Sequence, residues 1–199
     1  METTTCTCPR CAGDKTTPGG NTCLLCNGRG WVGDYHLSEH FMFSELVQGH
    51  QGFCNDPTPN AMEQLKALCA ELLELVHALV GPLRVTSGYR CPSYDAHVAG
   101  PPFDRQLSGH SVGAAADVQP LTPGKTLKDV MDAAASFKLD QRIIEGGCVH
   151  LAIYAPYPMN ERLQRNQAFV RMLNPDQSIA KYMYARYDPT DPTQLARCV

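Results

Sequence analysis

The chain has 199 residues, a formal net charge of −3 and a hydrophobic fraction of 43%. That length suits one compact domain with a small appendage, and the apolar fraction is enough to build a buried core. The slightly acidic balance argues against a protein that coats nucleic acid. The chain shows no apolar run of membrane-spanning length and no signal peptide at its start, so we expect synthesis in a cytoplasm and no membrane span.

Two Cys-x-x-Cys-x-Gly repeats lie near the start of the chain and contain Cys8, Cys11, Cys23 and Cys26. The glycine after each pair permits a left-handed turn in which backbone N–H groups face the sulfurs. The stretch has almost no aliphatic side chains, so bound zinc has to supply its folding free energy. The repeat resembles the cysteine-rich zinc modules of the DnaJ chaperone type. We therefore predict a structural zinc site in a module of residues 1–32, which serves either as a structural clip or as a docking surface.

Two helices are predicted after this module. The first covers residues 38–47, with Ser38 as its cap. The second begins at a capping box formed by Asn60 and Glu63, and its apolar residues recur at helical spacing as far as Leu79. A Gly-Pro pair then stops it. Both helices are expected to pack their apolar faces against the core of the main domain.

Further elements follow in alternation. Strands are predicted at residues 83–87 and 115–119, with a loop of residues 91–107 between them that walls a cleft. Thr126 can cap a helix whose apolar residues share one face. Near the end of the chain, residues 160–171 are expected to form a helix with a mixed charged face. A stretch of alternating tyrosines then predicts an edge strand at residues 181–187.

A hairpin is predicted where residues 141–145 and 148–154 flank a Gly-Gly pair, which is a strong two-residue turn signal. In the register that this turn sets, Ile143 faces His150 and Glu145 faces Cys148. All four side chains then project from one side of the ribbon.

Three separated residues supply the donor set of an open zinc site. Two imidazoles and one carboxylate, here His110, Asp117 and His150, can hold zinc in a tetrahedron and leave the fourth position to water. Gly109 and Gly113 leave the backbone free to bend beside each of the first two ligands. The alternative is a Gly/Ala-rich turn that enters a buried strand, in which His110 is only hydrogen-bonded.

The pattern Ser-x-His-x-x-Gly-x-Ala-x-Asp ends at Asp117, after Ser87-Gly-Tyr-Arg90 and before Val149-His150. These three motifs resemble the zinc-dependent D-Ala-D-Ala carboxypeptidase family of peptidoglycan peptidases. That family includes phage endolysins and virion-associated wall hydrolases, and it is related in fold to the hedgehog signalling domain. The similarity covers residues 37–154 and implies that His110, Asp117 and His150 are the zinc ligands.

The resemblance also implies residues that act on the substrate. Arg90 matches the arginine that contacts the substrate carbonyl beside the zinc, and Ser87, Tyr89 and Ser108 are implied as substrate-binding residues. A guanidinium suits this task because it stays charged and donates to an oxygen whose charge grows in the transition state. The alternative role for Arg90 is a surface salt bridge, which contributes little.

The general base is the point where this chain departs from its relatives. Many of them carry the catalytic acid three residues before the last histidine, where this chain has Gly147. The predicted hairpin register puts Glu145 diagonal to His150, about 7–8 Å away between backbones. We therefore predict Glu145 as the general base, which takes a proton from water activated by zinc and returns it to the leaving amine. The alternative is a solvated turn carboxylate.

Together these features predict an α+β fold: a small antiparallel sheet that presents zinc, with helices packed against it, over residues 33–158. Residues 159–199 form an extension that packs on this domain or docks to a partner. The expected activity is zinc-dependent hydrolysis of a peptide bond in bacterial peptidoglycan, with one catalytic and one structural zinc.

The resemblance implies a phage or prophage lysis protein or a virion component that acts in the cell wall or periplasm after phage-mediated release. Virion proteins would bind through the N-terminal module or the C-terminal tail. A non-catalytic virion or assembly protein that retains a zinc site is the alternative. A nucleic-acid partner is disfavoured because only Arg10, Lys15 and Arg29 give the module positive charge.

Overall fold

A computed structural model describes residues 5–99, 108–154, 164–173, 182–191 and 193–194 of the chain. At the N-terminus, β1 (Thr5–Thr7) and β2 (Trp31–Gly33) pair antiparallel and close the cysteine-rich segment between them. The four cysteines of that segment are buried and form a small cluster of their own. The segment therefore has a core of sulfur atoms rather than of aliphatic side chains.

The helical region begins with α1 (Phe43–Leu46), which is one turn long. The prediction of a helix over residues 38–47 is therefore wrong for its first half. The reason is tertiary: His36 and Met42 form an isolated β-bridge, and the Ser38 hydroxyl donates to Glu74 Oε1 at 2.6 Å instead of capping a helix.

The long predicted helix is present as α2 (Pro59–Leu68) and α3 (Glu74–Val80), joined by the π-helical turn Cys69–Leu73. Its cap is Thr58, whose Oγ1 accepts from the Ala61 N–H at 3.2 Å, so the predicted Asn60 and Glu63 capping box is wrong. A proline in the first turn explains the shift, because proline needs no N–H partner there. The apolar stripe is buried except for Leu79 at its end, which is 55% exposed.

Within the described residues the main sheet has six strands, in the order β3-β4-β6-β5-β7-β8. Its strands are β3 (Leu83–Ser87), β4 (Ala115–Pro120), β5 (Gln141–Glu145), β6 (Cys148–Ala152), β7 (Gln167–Leu173) and β8 (Tyr182–Arg186). All neighbours pair antiparallel except β5 and β7, which pair parallel. The α+β class is confirmed, while the sheet is larger than the expected small antiparallel one and is mixed.

The predicted hairpin is confirmed with its register. Ile143 pairs with His150, and Glu145 pairs with Cys148. Gly146 and Gly147 both have positive φ, at 54° and 82°. Two consecutive left-handed residues are what a two-residue turn between right-twisted strands requires.

The last two strands extend the sheet beyond this hairpin. The helix predicted over residues 160–171 is wrong where the chain is described, because β7 starts at Gln167. Residues 160–163 of that prediction lie outside the described residues. Backbone pairing with β5 overrides the local helical preference, and Val170 is buried in the sheet. The edge strand predicted near the C-terminus is present as β8.

Helices cover the sheet. Between β3 and β4 the chain forms α4 (Pro92–Ala99), so the first part of the predicted loop is helical; residues 100–107 lie outside the described residues. After β4 comes α5 (Leu127–Ala134), which packs on β4, β5, β6 and α3. Its predicted cap Thr126 is confirmed and forms a capping box with Asp129. No helix in the described ranges is both long and apolar enough to cross a membrane.

Gly113, just before β4, packs closely against the backbone of α2. Its φ is 78°, and a Cβ added there would overlap the Ala61 carbonyl oxygen in α2. Gly124 has a similar φ of 82° but open space around it. We expect Gly113→Ala and Gly124→Ala each to lose about 1–2 kcal/mol of unfolding free energy from the left-handed backbone. Gly113→Ala should lose about 1–3 kcal/mol more from overlap.

Denaturant unfolding of both variants at one fixed zinc concentration measures the difference. Equal destabilisation of the two variants would contradict close packing of Gly113 against Ala61.

Candidate metal centres

The pairing of β4 with β6 brings two of the candidate ligands together. Asp117 lies in the middle of β4 and is directly opposite His150 in β6, so their side chains leave the sheet on the same face. The third, His110, lies in a short 3-10 helix, His110–Val112, just before β4. Gly113 ends that turn in a left-handed conformation and sends the chain into the strand.

The three ligand atoms form a nearly equilateral triangle. His110 Nε2 lies 3.1 Å from His150 Nδ1 and 3.3 Å from Asp117 Oδ1, and His150 Nδ1 lies 2.9 Å from Asp117 Oδ1. Ligands held about 2.0–2.1 Å from a tetrahedral zinc lie about 3.3–3.4 Å from one another. The edges of the triangle are therefore close to those of one face of a zinc tetrahedron and slightly shorter.

The donor chemistry of these atoms also fits a cation. His110 Nδ1 lies 2.7 Å from the Gly88 carbonyl oxygen, and a carbonyl only accepts, so Nδ1 carries the hydrogen. In its neutral form His110 therefore presents a lone pair at Nε2. That lone pair faces a nitrogen of His150 and a carboxylate oxygen of Asp117, and a cation bound between them would be coordinated by all three atoms. The hydrogen bond to the Gly88 carbonyl fixes the orientation of the His110 ring.

Burial and charge act on the ionisation of this group. Burial raises the pKa of Asp117, but the charge and hydrogen bonds of His110 and His150 outweigh it and hold that pKa well below its ordinary value. Burial lowers the pKa of His150, while Asp117 and the more distant Glu145 raise it to a net value above the ordinary one. Asp117 is therefore a carboxylate at neutral pH, which is its metal-binding form.

Arg90 lies beside this triangle. Its Nε donates to Asp95 Oδ1 at 2.8 Å, its Nη1 donates to Ser87 Oγ at 2.8 Å, and the same Nη1 is 3.8 Å from Asp117 Oδ2. The Arg90 side chain is only 15% exposed, so its ion pair with Asp95 is not an ordinary salt bridge on the protein surface. Asp95, which α4 supplies, was not predicted from the sequence; its position five residues after Arg90 was the available signal.

The other residues implied as substrate-binding have different surroundings. Ser87 is paired with Asp117 across β3 and β4 and contacts Arg90. Tyr89 is 3% exposed and belongs to the hydrophobic core, where burial raises its pKa to about 12. Ser108 Oγ accepts from the Ser111 N–H at 3.2 Å and so stabilises the turn that carries His110. Of the three, Ser87 is the one whose side chain contacts Arg90.

Glu145 lies at the end of β5, close enough to His150 to raise its pKa. Its Oε2 is 3.2 Å from Arg171 Nη1 on β7, and its side chain is 18% exposed. The carboxylate is thus partly covered and ion-paired rather than fully solvated. Asp140, the carboxylate just before β5, is 1% exposed, and Arg165 donates to it through two hydrogen bonds of 2.7 Å, so it takes part in a buried ion pair.

The cysteine cluster also has the dimensions of a zinc site. Cys8 Sγ lies 3.8 Å from Cys23 Sγ, and Cys11 Sγ lies 3.8 Å from Cys26 Sγ. Thiolates about 2.3 Å from a tetrahedral zinc are separated by about 3.8 Å. The Gly30 N–H donates to the Cys26 sulfur at 3.3 Å, as expected in a zinc knuckle.

The described residues contain one more group of suitable side chains, His40, Glu74 and His77. Glu74 Oε1 accepts from the Ser38 hydroxyl and from the His40 N–H, and its Oε2 is 2.7 Å from His40 Nδ1. The two imidazole rings stack with centroids 4.0 Å apart. Hydrogen bonding and stacking account for this group without a metal.

Comparison with known proteins adds one finding. Residues 35–152 match the family model described as Peptidase M15. The matched region includes Arg90, the three candidate ligands and Glu145, and it excludes the cysteine-rich module. No curated protein matches the chain.

The two clusters predict two zinc ions per chain, bound independently because they share no ligand. His110→Ala should lower the zinc content from two equivalents to one, and Cys11→Ser should do the same through the other site. Elemental analysis of the purified proteins measures this, with wild type as the reference. Loss of both metals in His110→Ala would contradict independent sites.

Proposed function

The chain belongs to the peptidase M15 family, whose members are zinc-dependent peptidases, and we propose that it hydrolyses a peptide bond in bacterial peptidoglycan. The observation that carries the proposal is the zinc-sized triangle of His110, Asp117 and His150 beside Arg90 and Glu145. The peptidoglycan substrate rests on the resemblance of these motifs to D-Ala-D-Ala carboxypeptidases. Carboxypeptidase and endopeptidase action are both compatible with it.

A zinc ion on His110, Asp117 and His150 would polarise the scissile carbonyl and acidify water at its open position. In this proposal Glu145 accepts the proton of the attacking water and then delivers it to the leaving amine nitrogen. Its partner Arg171 holds the carboxylate at the end of β5, where the hairpin register directs it to the same face as His150.

Arg90 has the second role in the proposal. Its guanidinium donates to the substrate carbonyl oxygen, whose negative charge grows as the tetrahedral intermediate forms. Asp95 and Ser87 each hold one nitrogen of that guanidinium, so its orientation is set before substrate binds. Preorganised donors of this kind lose no energy to reorganisation during the reaction.

A cavity next to Arg90 supports a peptide substrate. It has a volume of about 250 Å³ and is lined by residues of three segments, among them Gln48, His50, Ser87 and Tyr94. His50 and Tyr94 stack with ring centroids 3.8 Å apart and form one wall. A polar and aromatic cavity of this size can hold a small amino-acid residue adjoining the scissile bond.

The same proposal makes the protein a phage or prophage lysis enzyme or a virion component that acts in the cell wall or periplasm. It rests on resemblance to phage endolysins and virion-associated wall hydrolases. Mass spectrometry of defined muropeptides incubated with the purified protein tests the activity. If no product forms, the non-catalytic virion or assembly protein becomes the better description.

Glu145→Gln tests the general base. The amide keeps the size of the side chain but cannot accept the proton, and Glu145 is no metal ligand. We expect both zinc ions and the fold to remain while kcat falls roughly 10²–10⁴-fold, the usual contribution of a positioned base. Muropeptide hydrolysis, zinc content and thermal unfolding are measured together.

Cys148→Ser is the matched control, because Cys148 pairs with Glu145 across the hairpin and carries no carboxylate. Its kcat should stay within a few-fold of wild type. Turnover in Glu145→Gln that equals the control would remove Glu145 from the mechanism.

A further inference from the structure

The first Cys-x-x-Cys-x-Gly repeat, residues 8–13, forms the first zinc knuckle and is joined to the main domain by specific polar contacts. The Arg10 guanidinium forms a two-point ion pair with the Asp56 carboxylate. The neighbouring Asn55 N–H donates to the Pro9 carbonyl oxygen at 3.1 Å. The knuckle therefore binds two consecutive residues, Asn55 and Asp56, of the loop that precedes α2.

The side chain of Asn55 continues this chain of contacts inward. It is fully buried, and its Nδ2 donates to the Gln48 carbonyl at 2.7 Å and to the Tyr89 carbonyl at 3.1 Å. Its Oδ1 accepts from the Cys91 N–H at 2.5 Å. Asn55 thus bonds the backbone on both sides of Arg90, the residue between Tyr89 and Cys91.

Close backbone packing reinforces the polar contacts. A Cβ added to Gly49 would lie 2.8 Å from Ala12 Cα and 3.1 Å from the Cys8 carbonyl oxygen, both in the first knuckle. Residues 48–56 therefore lie between the knuckle and the segment that carries Arg90. A knuckle that moves away leaves this loop without its outer support.

We infer that Asn55 is a positioning residue for Arg90, and that the zinc knuckle is a buttress which holds Asn55 in place. This inference depends on the proposed function only through the role of Arg90. In this inference the cysteine-rich module supports the candidate active site of its own chain. It therefore favours the structural clip over the docking surface as the role of that module.

The physical basis is the conformation of residues 88–91, which lie outside any helix or strand. Their backbone is held by hydrogen bonds to other segments, among them those of the Tyr89 N–H to the Leu46 carbonyl, of the Arg90 N–H to the His110 carbonyl, and of the Asn55 side chain to Tyr89 and Cys91. An amide side chain can bond the backbone on both sides of Arg90, because it donates to the Tyr89 carbonyl and accepts from the Cys91 N–H at once. Misplacing a catalytic donor by about 1 Å can cost on the order of 10²-fold in rate.

Hydrogen exchange tests the buttress without any substrate. The variants are Asn55→Ala, which removes the side-chain hydrogen bonds to Gln48, Tyr89 and Cys91, and Gly49→Ala, whose added methyl group pushes the knuckle away from the loop. Gly33→Ala in β2 is the matched control, because a Cβ there meets nothing within 4 Å. We expect exchange of the Cys91 amide to accelerate roughly tenfold or more in both test variants, with α5 amides and the zinc content unchanged.

Enzyme kinetics test whether Asn55 acts through Arg90. In the wild-type background Asn55→Ala should lower kcat/KM about 10–10²-fold, mainly through kcat. In an Arg90→Ala background the same change should have little further effect, because the group that it positions is gone. A residue that only stabilises the fold would lower kcat/KM by the same factor in both backgrounds.

The two experiments separate failure of this inference from failure of the proposed activity. Unchanged exchange at Cys91 in Asn55→Ala and Gly49→Ala overturns the buttress whether or not wild type cleaves muropeptides. Additive kinetic losses overturn the action through Arg90. An inactive wild type with accelerated exchange in both variants would refute the peptidase proposal and still support the structural coupling.

Discussion

The antiparallel pairing of β4 with β6 is the constraint on which the candidate site depends. It places Asp117 opposite His150, and the turn before β4 returns His110 to the same point. Two imidazole nitrogens and a carboxylate oxygen then face one another at distances of 2.9–3.3 Å. Such a cluster of acceptors is stable when a cation lies among them, so the sheet register and the metal chemistry support each other.

The surroundings of Arg90 show how an irregular segment is made rigid. Gly88 packs so closely on Leu46 that a Cβ would overlap its backbone, and the Gly88 carbonyl orients His110. Asp95 holds the guanidinium from one side, and Asn55 holds the backbone from the other. Packing, hydrogen bonds and an ion pair together restrict this segment, as the role proposed for Arg90 requires.

The secondary-structure predictions that the structure contradicts share a physical cause, which is contact between segments distant in sequence. The helix expected over residues 160–171 gives way to β7 because pairing with β5 satisfies its backbone, a long-range contact that local periodicity does not report. The helix expected from Ser38 is shortened because Ser38 binds Glu74, which is remote in sequence. The parallel pair that makes the sheet mixed is likewise a property of the whole chain.

By itself the sequence determined the features that depend on near neighbours. These are the hairpin register around two glycines, the capped helix α5, the strands β3 and β4, and the two Cys-x-x-Cys-x-Gly knuckles. The resemblance of its motifs to those of known zinc peptidases also grouped His110, Asp117 and His150 as ligands. Only the tertiary structure brought Asp95 and Asn55 to Arg90 and paired the buried Asp140 with Arg165. Those relations depend on burial and on contacts between distant segments, which no local pattern encodes.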